Sequence, residues 1–199
     1  MADRRALRDK VADWVQAARA NPLFRRGLAG AVAVGALDQA SKYVIVHVVK
    51  LQERFVPCAK KPAEFCHQIA VSPIFDLTYV ENRGASFGML AGGAVSRVFL
   101  SVLSLAVAGF LVSWLARIHR PLSAAAVALI IGGAIGNLID RASLGYVVDF
   151  FDFSGLFFPW VFNVADASIN VGIALLALDW WRERSAMRTK PSAPPEAGG

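Results

Sequence analysis

The fold class is decided by the stretch LSAAAVALIIGGAIGNLI, residues 122–139. It carries no charged side chain, and its length approaches the roughly 20 residues that a helix needs to cross about 30 Å of hydrocarbon. Polar residues gather at its end, where Asn137 is followed by Asp140 and Arg141. We therefore predict a membrane-spanning helix with a polar group at one end.

Three further apolar blocks have similar length, and we place them at Leu28 to Val49, Val98 to Leu115 and Phe162 to Trp181. The whole chain of 199 residues is 56% hydrophobic and 18% charged, with a mean hydropathy of +0.47. A soluble domain does not have this composition. The sequence predicts an all-α membrane protein with four transmembrane helices.

The chain has a net charge of +6. Its basic residues lie in the segments that flank the predicted spans and do not form the single basic stripe of a nucleic-acid-binding protein. Basic residues precede span one, join spans two and three, and follow span four: Arg4, Arg5, Arg8, Lys10, Arg19, Arg25, Arg26, Arg117, Arg120, Arg182, Arg184, Arg188 and Lys190. Because Lys and Arg are retained on the cytoplasmic side, we predict cytoplasmic termini and no nucleic-acid partner.

Residues 1–27 form a cytoplasmic amphipathic segment in this scheme, residues 28–181 the four-span domain, and residues 182–199 a disordered tail. In the first segment one helical face collects Leu7, Val11, Trp14, Val15 and Ala18. Such a face is typical of an N-terminal helix that lies in the membrane interface. A solvated tail with chance periodicity is the alternative.

Residues 50–94 are polar and contain the strand-like run Ile74 to Val80, which predicts a small periplasmic β-cradle between spans one and two. Cys58 and Cys66 lie in this segment. A disulfide is stable on the periplasmic side of the membrane. We expect either a Cys58–Cys66 bridge or two free thiols.

Ionisable residues inside membrane helices are costly, about 2.5 to 3.5 kcal/mol for an Asp at a helix centre. Here polar residues cluster where spans three and four meet, with one aspartate in the connecting loop: Asn137, Asp140, Arg141, Asp149, Asn163 and Asp166. Because the two spans are antiparallel and joined on the outside, we expect these side chains to meet at one depth.

The histidines are scattered and no paired-cysteine motif is present, so we predict no metal site and no cofactor. Two adjacent carboxyl groups cannot both ionise readily, so one keeps a proton while the other activates water. Spacing does not select the pair among Asp140, Asp149 and Asp166. Any one of them could instead be bound to Arg141.

Five sequence blocks between Ala31 and Leu175 resemble the bacterial lipoprotein signal peptidase family, also called signal peptidase II. In chain order they are Asp38 to Lys42 (DQASK), Glu81 to Gly88 (ENRGASFG), Gly136 to Arg141 (GNLIDR), Val147 to Phe150 (VVDF) and Phe162 to Asp166 (FNVAD). The segment before Asp76 looks longer than is usual in that family.

The resemblance implies a membrane aspartyl endopeptidase that removes signal peptides from diacylglyceryl-modified prolipoproteins before the lipidated cysteine. It implies Asp149 and Asp166 as the catalytic pair. It also implies a shell of residues that orients this pair and binds substrate: Asn82, Arg83, Asn137, Asp140, Arg141 and Asn163. Asp38 and Lys42 of span one have a supporting role in this scheme.

The expected location is the bacterial inner membrane, with the site at the periplasmic face, and the expected partners are lipidated prolipoprotein signal peptides and membrane lipids. We expect the protein to act as a monomer. A proton-coupled carrier that uses the same carboxylates is the alternative function. A non-catalytic assembly factor is a third.

Overall fold

Helices dominate the computed structural model, which describes residues 2–56, 66–84, 93–156 and 158–188. Its helices are α1 (Ala2–Ala20), α2 (Pro22–Tyr43), α3 (Ala94–Leu115), α4 (Pro121–Ser143) and α5 (Val164–Arg188). A π-helical turn, Val44–Val48, continues α2, and short 3-10 turns lie at Leu51–Glu53 and Ser154–Leu156. The strands are β1 (Gln68–Ser72), β2 (Phe75–Asn82), β3 (Val147–Asp152) and β4 (Val161–Phe162).

Among the described residues, four segments are long and apolar enough to cross a membrane: Pro22–Glu53, Ala94–Leu115, Pro121–Ser143 and Val164–Ala186. The prediction of an all-α four-span protein is therefore confirmed. Helix α4 is the most buried of the four and packs against α2, α3 and α5. The stretch that decided the fold class thus forms the centre of the bundle.

The first and last spans extend beyond their predicted ends. Helix α2 begins at Pro22 rather than Leu28, because the Asn21 side chain caps it by accepting from the backbone N–H of Leu23 at 2.9 Å. Proline suits the first helical position, where its missing N–H has no partner to lose. Helix α5 continues past Trp181 to Arg188, and residues 189–199 of the predicted tail lie outside the described residues.

Three glycines of α4 allow its neighbours to approach closely. A Cβ on Gly132 would lie 2.6 Å from the Ala31 carbonyl of α2, and one on Gly136 would lie 2.6 Å from Asp38 Oδ2. On the opposite side, Gly133 faces the Ala165 carbonyl of α5. Small residues at helix contacts are how membrane helices gain close packing.

The four strands form one antiparallel sheet in the order β1-β2-β3-β4. Strand β2 confirms the predicted strand-like run, whereas β3 was missed and Asp149 was expected in a loop. Asp149 instead pairs with Val80 across the β2–β3 ladder. Because almost all of β3 is buried on both faces, the alternation of polar and apolar residues that identifies a strand is absent.

A second apolar core fixes the sheet to the end of the bundle where α4 ends and α5 begins. Val148 and Phe150 of β3 pack with Tyr79 of β2 and with Ile45 and Leu51, which follow α2. This core is separate from the one between the membrane helices. It holds β3, and with it Asp149, against the ends of α2 and α5.

We predict that Gly133→Ala destabilises the protein, because the new Cβ would lie 2.6 Å from Ser168 Oγ of α5. Overpacking of this kind costs about 1–3 kcal/mol. Gly109→Ala is the matched control, since a Cβ at Gly109 meets nothing within 4 Å, and alanine is the better helix former. Melting temperatures in detergent should fall for the first variant only; equal values would contradict the α4–α5 packing.

Candidate active site

A network of polar side chains lies where the ends of α2, α4 and α5 meet strand β3. Its members come from four separate parts of the sequence and are almost all buried: Asp38 and Lys42 of α2, Asn137 and Asp140 of α4, Asp149 of β3, and Asn163 and Asp166 at the start of α5. The sequence predicts the gathering of the residues from α4, β3 and α5, and the structure brings these together. Asp38 and Lys42 of α2 join them, which the sequence did not predict.

Lys42 is the cation at the centre of this network. Its Nζ lies 2.7 Å from Asp38 Oδ2 and 2.8 Å from Asp140 Oδ2, and the three side chains are at most 5% exposed. Asp140 therefore has Lys42 as its ion-pair partner. Arg141, which the sequence offered as a partner, donates at 3.5 Å to the backbone carbonyl of Asn137.

The same two carboxylates also bind backbone N–H groups of neighbouring elements. Asp38 Oδ1 accepts from the N–H of Ala165, in the first turn of α5, at 2.9 Å. Asp140 Oδ2 accepts from the N–H of Val148 in β3 at 3.1 Å. The ion pair thus fixes the start of α5 and the start of β3 relative to α2 and α4.

Asn163 caps α5 and at the same time contacts Asp149. Its Oδ1 accepts from the N–H of Asp166 at 2.9 Å, which is the capping bond of a helix N-terminus. Its Nδ2 donates to Asp149 Oδ1 at 2.6 Å. The other carboxylate oxygen of Asp149 accepts from Asn82 Nδ2 at 2.9 Å.

Asn137 serves Asp166 in the same way. Its Nδ2 donates to Asp166 Oδ1 at 2.8 Å, while its Oδ1 accepts from Lys42 Nζ at 3.3 Å and from Asn163 Nδ2 at 3.2 Å. The two asparagines therefore connect Asp149 to Asp166 through a continuous chain of hydrogen bonds. Asp149 and Asp166 thus accept hydrogen bonds from side-chain amides. Asp38 and Asp140, in contrast, form ion pairs with the Lys42 ammonium group.

Burial raises the pKa of Asp149 to about 7, and the neighbouring negative charge of Asp166 acts in the same direction. The hydrogen bonds from Asn82 and Asn163 and the charge of Lys42 act against this rise. A carboxyl group poised near neutral pH can hold or release a proton during a reaction. Asp149 is therefore suited to proton transfer.

Two predicted shell residues lie outside this chain of hydrogen bonds. Arg83 is 65% exposed at its side chain and lies 2.6 Å from Glu81, with its guanidinium 5.6 Å from the ring centre of Tyr146. The hydrogen bond that Arg83 donates to the Glu81 carboxylate raises the pKa of Arg83. Arg141 lies one residue beyond Asp140 and contacts the backbone of Asn137.

Gln39 is a member of the network that the sequence analysis did not select. Its Nε2 donates to Asp140 Oδ1 at 2.8 Å and to the Gly136 carbonyl at 3.2 Å. The signal was present, because Gln39 directly follows Asp38 within the quoted DQASK block. A second missed contact joins β2 to β3, where the Thr78 hydroxyl donates to Asp152 at 2.7 Å with both residues buried.

Of the predicted cysteine pair, Cys66 is described by the structure and lies just before strand β1. Cys66 is disulfide-bonded, and Cys58, the only other cysteine of the sequence, lies outside the described residues. The pairing stays a prediction. Across residues 2–56, 66–84, 93–156 and 158–188, we find no group of three His, Cys, Asp or Glu side chains that could hold a metal ion.

Comparison with known proteins gives a consistent result. The family model described as signal peptidase (SPase) II matches residues 30–182. A lipoprotein signal peptidase of Caulobacter vibrioides is 47% identical over 144 residues, covering 72% of this chain and 79% of that protein. Another from Syntrophotalea carbinolica is 42% identical over 164 residues, covering 80% and 93%.

Solved structures share the fold. A bacterial membrane enzyme structure at 2.3 Å resolution superposes with a TM-score of 0.65 at 25% identity, covering 84% of this chain and 94% of the other. A second, at 1.9 Å, gives 0.60 at 29% identity, with coverages of 78% and 92%. The arrangement of spans and sheet is therefore common to this chain and these enzymes.

We predict that Lys42→Met strongly destabilises the protein, because it leaves Asp38 and Asp140 buried without their counter-ion. Breaking a buried ion pair in this way costs about 3–5 kcal/mol. The control is Lys50→Met, whose side chain is 60% exposed and lies 3.9 Å from Glu53; an exposed pair contributes about 0–1 kcal/mol. Unfolding midpoints in detergent that match for the two variants would refute the ion pair as a structural element.

Proposed function

Because the chain belongs to the signal peptidase II family, we propose that it is a membrane aspartyl endopeptidase acting on diacylglyceryl-modified prolipoproteins. It would remove the signal peptide by cleaving the bond before the lipidated cysteine. The observation that carries this proposal is the pairing of buried Asp149 with half-buried Asp166, joined through Asn163 and Asn137. Asp140, the third candidate, is already bound to Lys42.

In this mechanism one carboxyl group of the pair is protonated and the other is charged. Burial favours the protonated form of Asp149, since its pKa is raised to about 7. Asp166 lies in the first turn of α5, where the positive end of the helix dipole favours a negative charge. We therefore assign the starting proton to Asp149 and the starting charge to Asp166.

Hydrolysis then proceeds in two proton-balanced steps. Asp166 takes a proton from a water molecule whose oxygen attacks the scissile carbonyl carbon, while Asp149 gives its proton to the carbonyl oxygen. The tetrahedral diol collapses when Asp166 passes its proton to the amide nitrogen and the C–N bond breaks. One diol hydroxyl returns a proton to Asp149, which restores the starting state.

The asparagines are oriented by fixed neighbours, and this orientation gives them their role. Lys42 donates to Asn137 Oδ1, so the amide group of Asn137 must face Asp166. The N–H of Asp166 donates to Asn163 Oδ1, so the amide group of Asn163 must face Asp149. Both carboxyl groups are held in place before substrate binds, which is the preorganisation that catalysis requires.

Substrate access follows from the lipid anchor. A lipidated prolipoprotein already lies in the bilayer, so it needs only lateral entry to a site at the membrane surface. We place that site at the periplasmic face of the bacterial inner membrane, with both termini cytoplasmic and one chain sufficient for activity. The exposed guanidinium of Arg83 can hold a backbone carbonyl of the bound signal peptide, next to Asn82 and Asp149.

We predict that Asp149→Asn and Asp166→Asn each reduce cleavage of a lipidated prolipoprotein by at least about 100-fold, because each removes one proton-transfer group. The measurement is the initial rate of signal-peptide release by purified protein in detergent. Asp152→Asn is the control, since it changes a buried carboxyl group of the same strand that bonds Thr78.

Wild-type rates in both dyad variants would refute the proposed chemistry. Loss of cleavage in Asp152→Asn to the same extent would assign the effect to the strand rather than to the pair. Proton flux in proteoliposomes without any cleavage, abolished by the same substitutions, would instead identify a carrier.

The rate of cleavage should fall as the pH rises through about 7, where Asp149 loses the proton that the mechanism needs. Asn82 donates to Asp149 and so lowers its pKa. Asn82→Leu removes that donor, so the pKa should rise and the descending limb should move to higher pH. Rate profiles between pH 5 and 9 for both proteins test this; a limb that stays in place or moves to lower pH contradicts the assignment.

A further inference from the structure

Helix α1 precedes the part of the chain that matches the family model, which begins at residue 30. The second half of α1 is fixed to the bundle of membrane helices. Trp14 Nε1 donates to the Ser113 carbonyl at the end of α3 at 3.3 Å, and its ring meets that of Phe24 edge to face at 6.0 Å. Its orientation relative to the bundle is therefore set by side-chain contacts.

The link after α1 is equally well fixed. Asn21 is buried, and its Nδ2 donates to the carbonyls of Ala116 at 3.1 Å and Ile118 at 2.8 Å, just beyond the end of α3. Because Asn21 also caps α2, the direction in which α1 leaves the bundle is tied to two membrane helices.

The bundle covers only part of the apolar face of α1. Ala18 is buried and Trp14 and Val15 are half-buried, but Val11 on the same face is 54% exposed. With about 3.6 residues per turn, Val11 lies beside Trp14 and Val15 and points in the same direction. The apolar face of α1 therefore continues past the part that the bundle covers.

Basic residues flank this face on both sides. Arg8 and Arg19 lie on one edge and Lys10 on the other, all exposed, while Asp9 and Asp13 lie on the far side of the helix. This order, apolar in the centre, cationic at the edges and acidic opposite, matches a surface with an apolar interior and anionic groups at its boundary.

We propose that α1 is a lipid-binding helix whose edge residues Arg8, Lys10 and Arg19 bind the phosphates of anionic phospholipids while Val11 and Trp14 enter the acyl region. The lipids are those of the leaflet at which the chain begins and ends. Position in the interface alone would require no particular headgroup. The cationic edges add a requirement for negative charge, and this is independent of the proposed peptidase activity.

The contacts of α1 give lipid binding a consequence for the bundle. Trp14 binds a carbonyl in the last turn of α3 and Asn21 binds two carbonyls just beyond it. Holding α1 against the membrane therefore also holds the end of α3. Anionic lipid should therefore raise the melting temperature of the whole protein. A ligand stabilises the state that it binds by an amount that grows with its concentration.

The first experiment measures retention of phosphatidylglycerol and phosphatidylcholine by the full chain in neutral detergent, using native mass spectrometry. The wild type should retain phosphatidylglycerol preferentially. The triple variant Arg8→Gln, Lys10→Gln, Arg19→Gln should lose at least about tenfold of that preference, since each basic residue near an anionic surface contributes about fivefold. An unchanged preference overturns the proposal. It is also the result expected if α1 binds an acidic protein partner instead of lipid.

The matched control removes three other exposed charges from the same end of the bundle, Arg25→Gln, Arg26→Gln and Arg117→Gln. It should keep most of the preference and of the shift in melting temperature with phosphatidylglycerol. An equal loss in this control would assign lipid binding to the general positive charge of that end, and would overturn a specific role for α1.

A second measurement locates the helix face directly. An environment-sensitive dye is attached at Val11→Cys, or at Gln16→Cys on the exposed opposite face, in proteoliposomes that contain brominated phosphatidylglycerol. Lipid bromines should quench the dye at position 11 several-fold more than at position 16. Equal quenching at the two positions would place the apolar face outside the membrane and overturn the proposal.

Discussion

The structure depends on one buried ammonium group, that of Lys42, held between the carboxylates of Asp38 and Asp140. Burying an ammonium group or a carboxylate costs several kcal/mol unless an opposite charge lies beside it, and here each charge has such a partner. Because each carboxylate also binds a backbone N–H of another element, the ion pair does more than join α2 to α4. It sets where α5 begins and where β3 meets the bundle.

The network contains two kinds of aspartate, which differ in the groups that contact them. Asp38 and Asp140 each lie against the Lys42 ammonium group. Asp149 and Asp166 face neutral amides, which orient a carboxyl group without fixing its protonation state. One crowded polar cluster at the end of the bundle thus contains two carboxylates that form an ion pair and two that accept from amide groups.

The sequence was sufficient for the four spans and for the gathering of polar residues, because span length and the position of Asp140 and Asp166 at helix ends are local properties. It could not identify the partner of Asp140. Arg141 is adjacent to Asp140 in the sequence. Lys42 lies on another helix, and its contact with Asp140 depends on how α2 packs against α4, which residue spacing does not predict. Strand β3 was missed for a related reason, since burial on both faces removes the alternation by which strands are recognised.

Asn163 carries two duties in a single amide group. Its oxygen caps the last membrane helix and its nitrogen donates to Asp149. Rotation of the amide group would therefore disrupt both contacts at once. A substitution that kept the helix start but lost the amide nitrogen, as aspartate would, would place a third negative charge against the pair. A substitution of Asn163 therefore changes the start of α5 and the surroundings of Asp149 together. Residues around Asn163 are the better positions for changing the proton affinity of Asp149 alone.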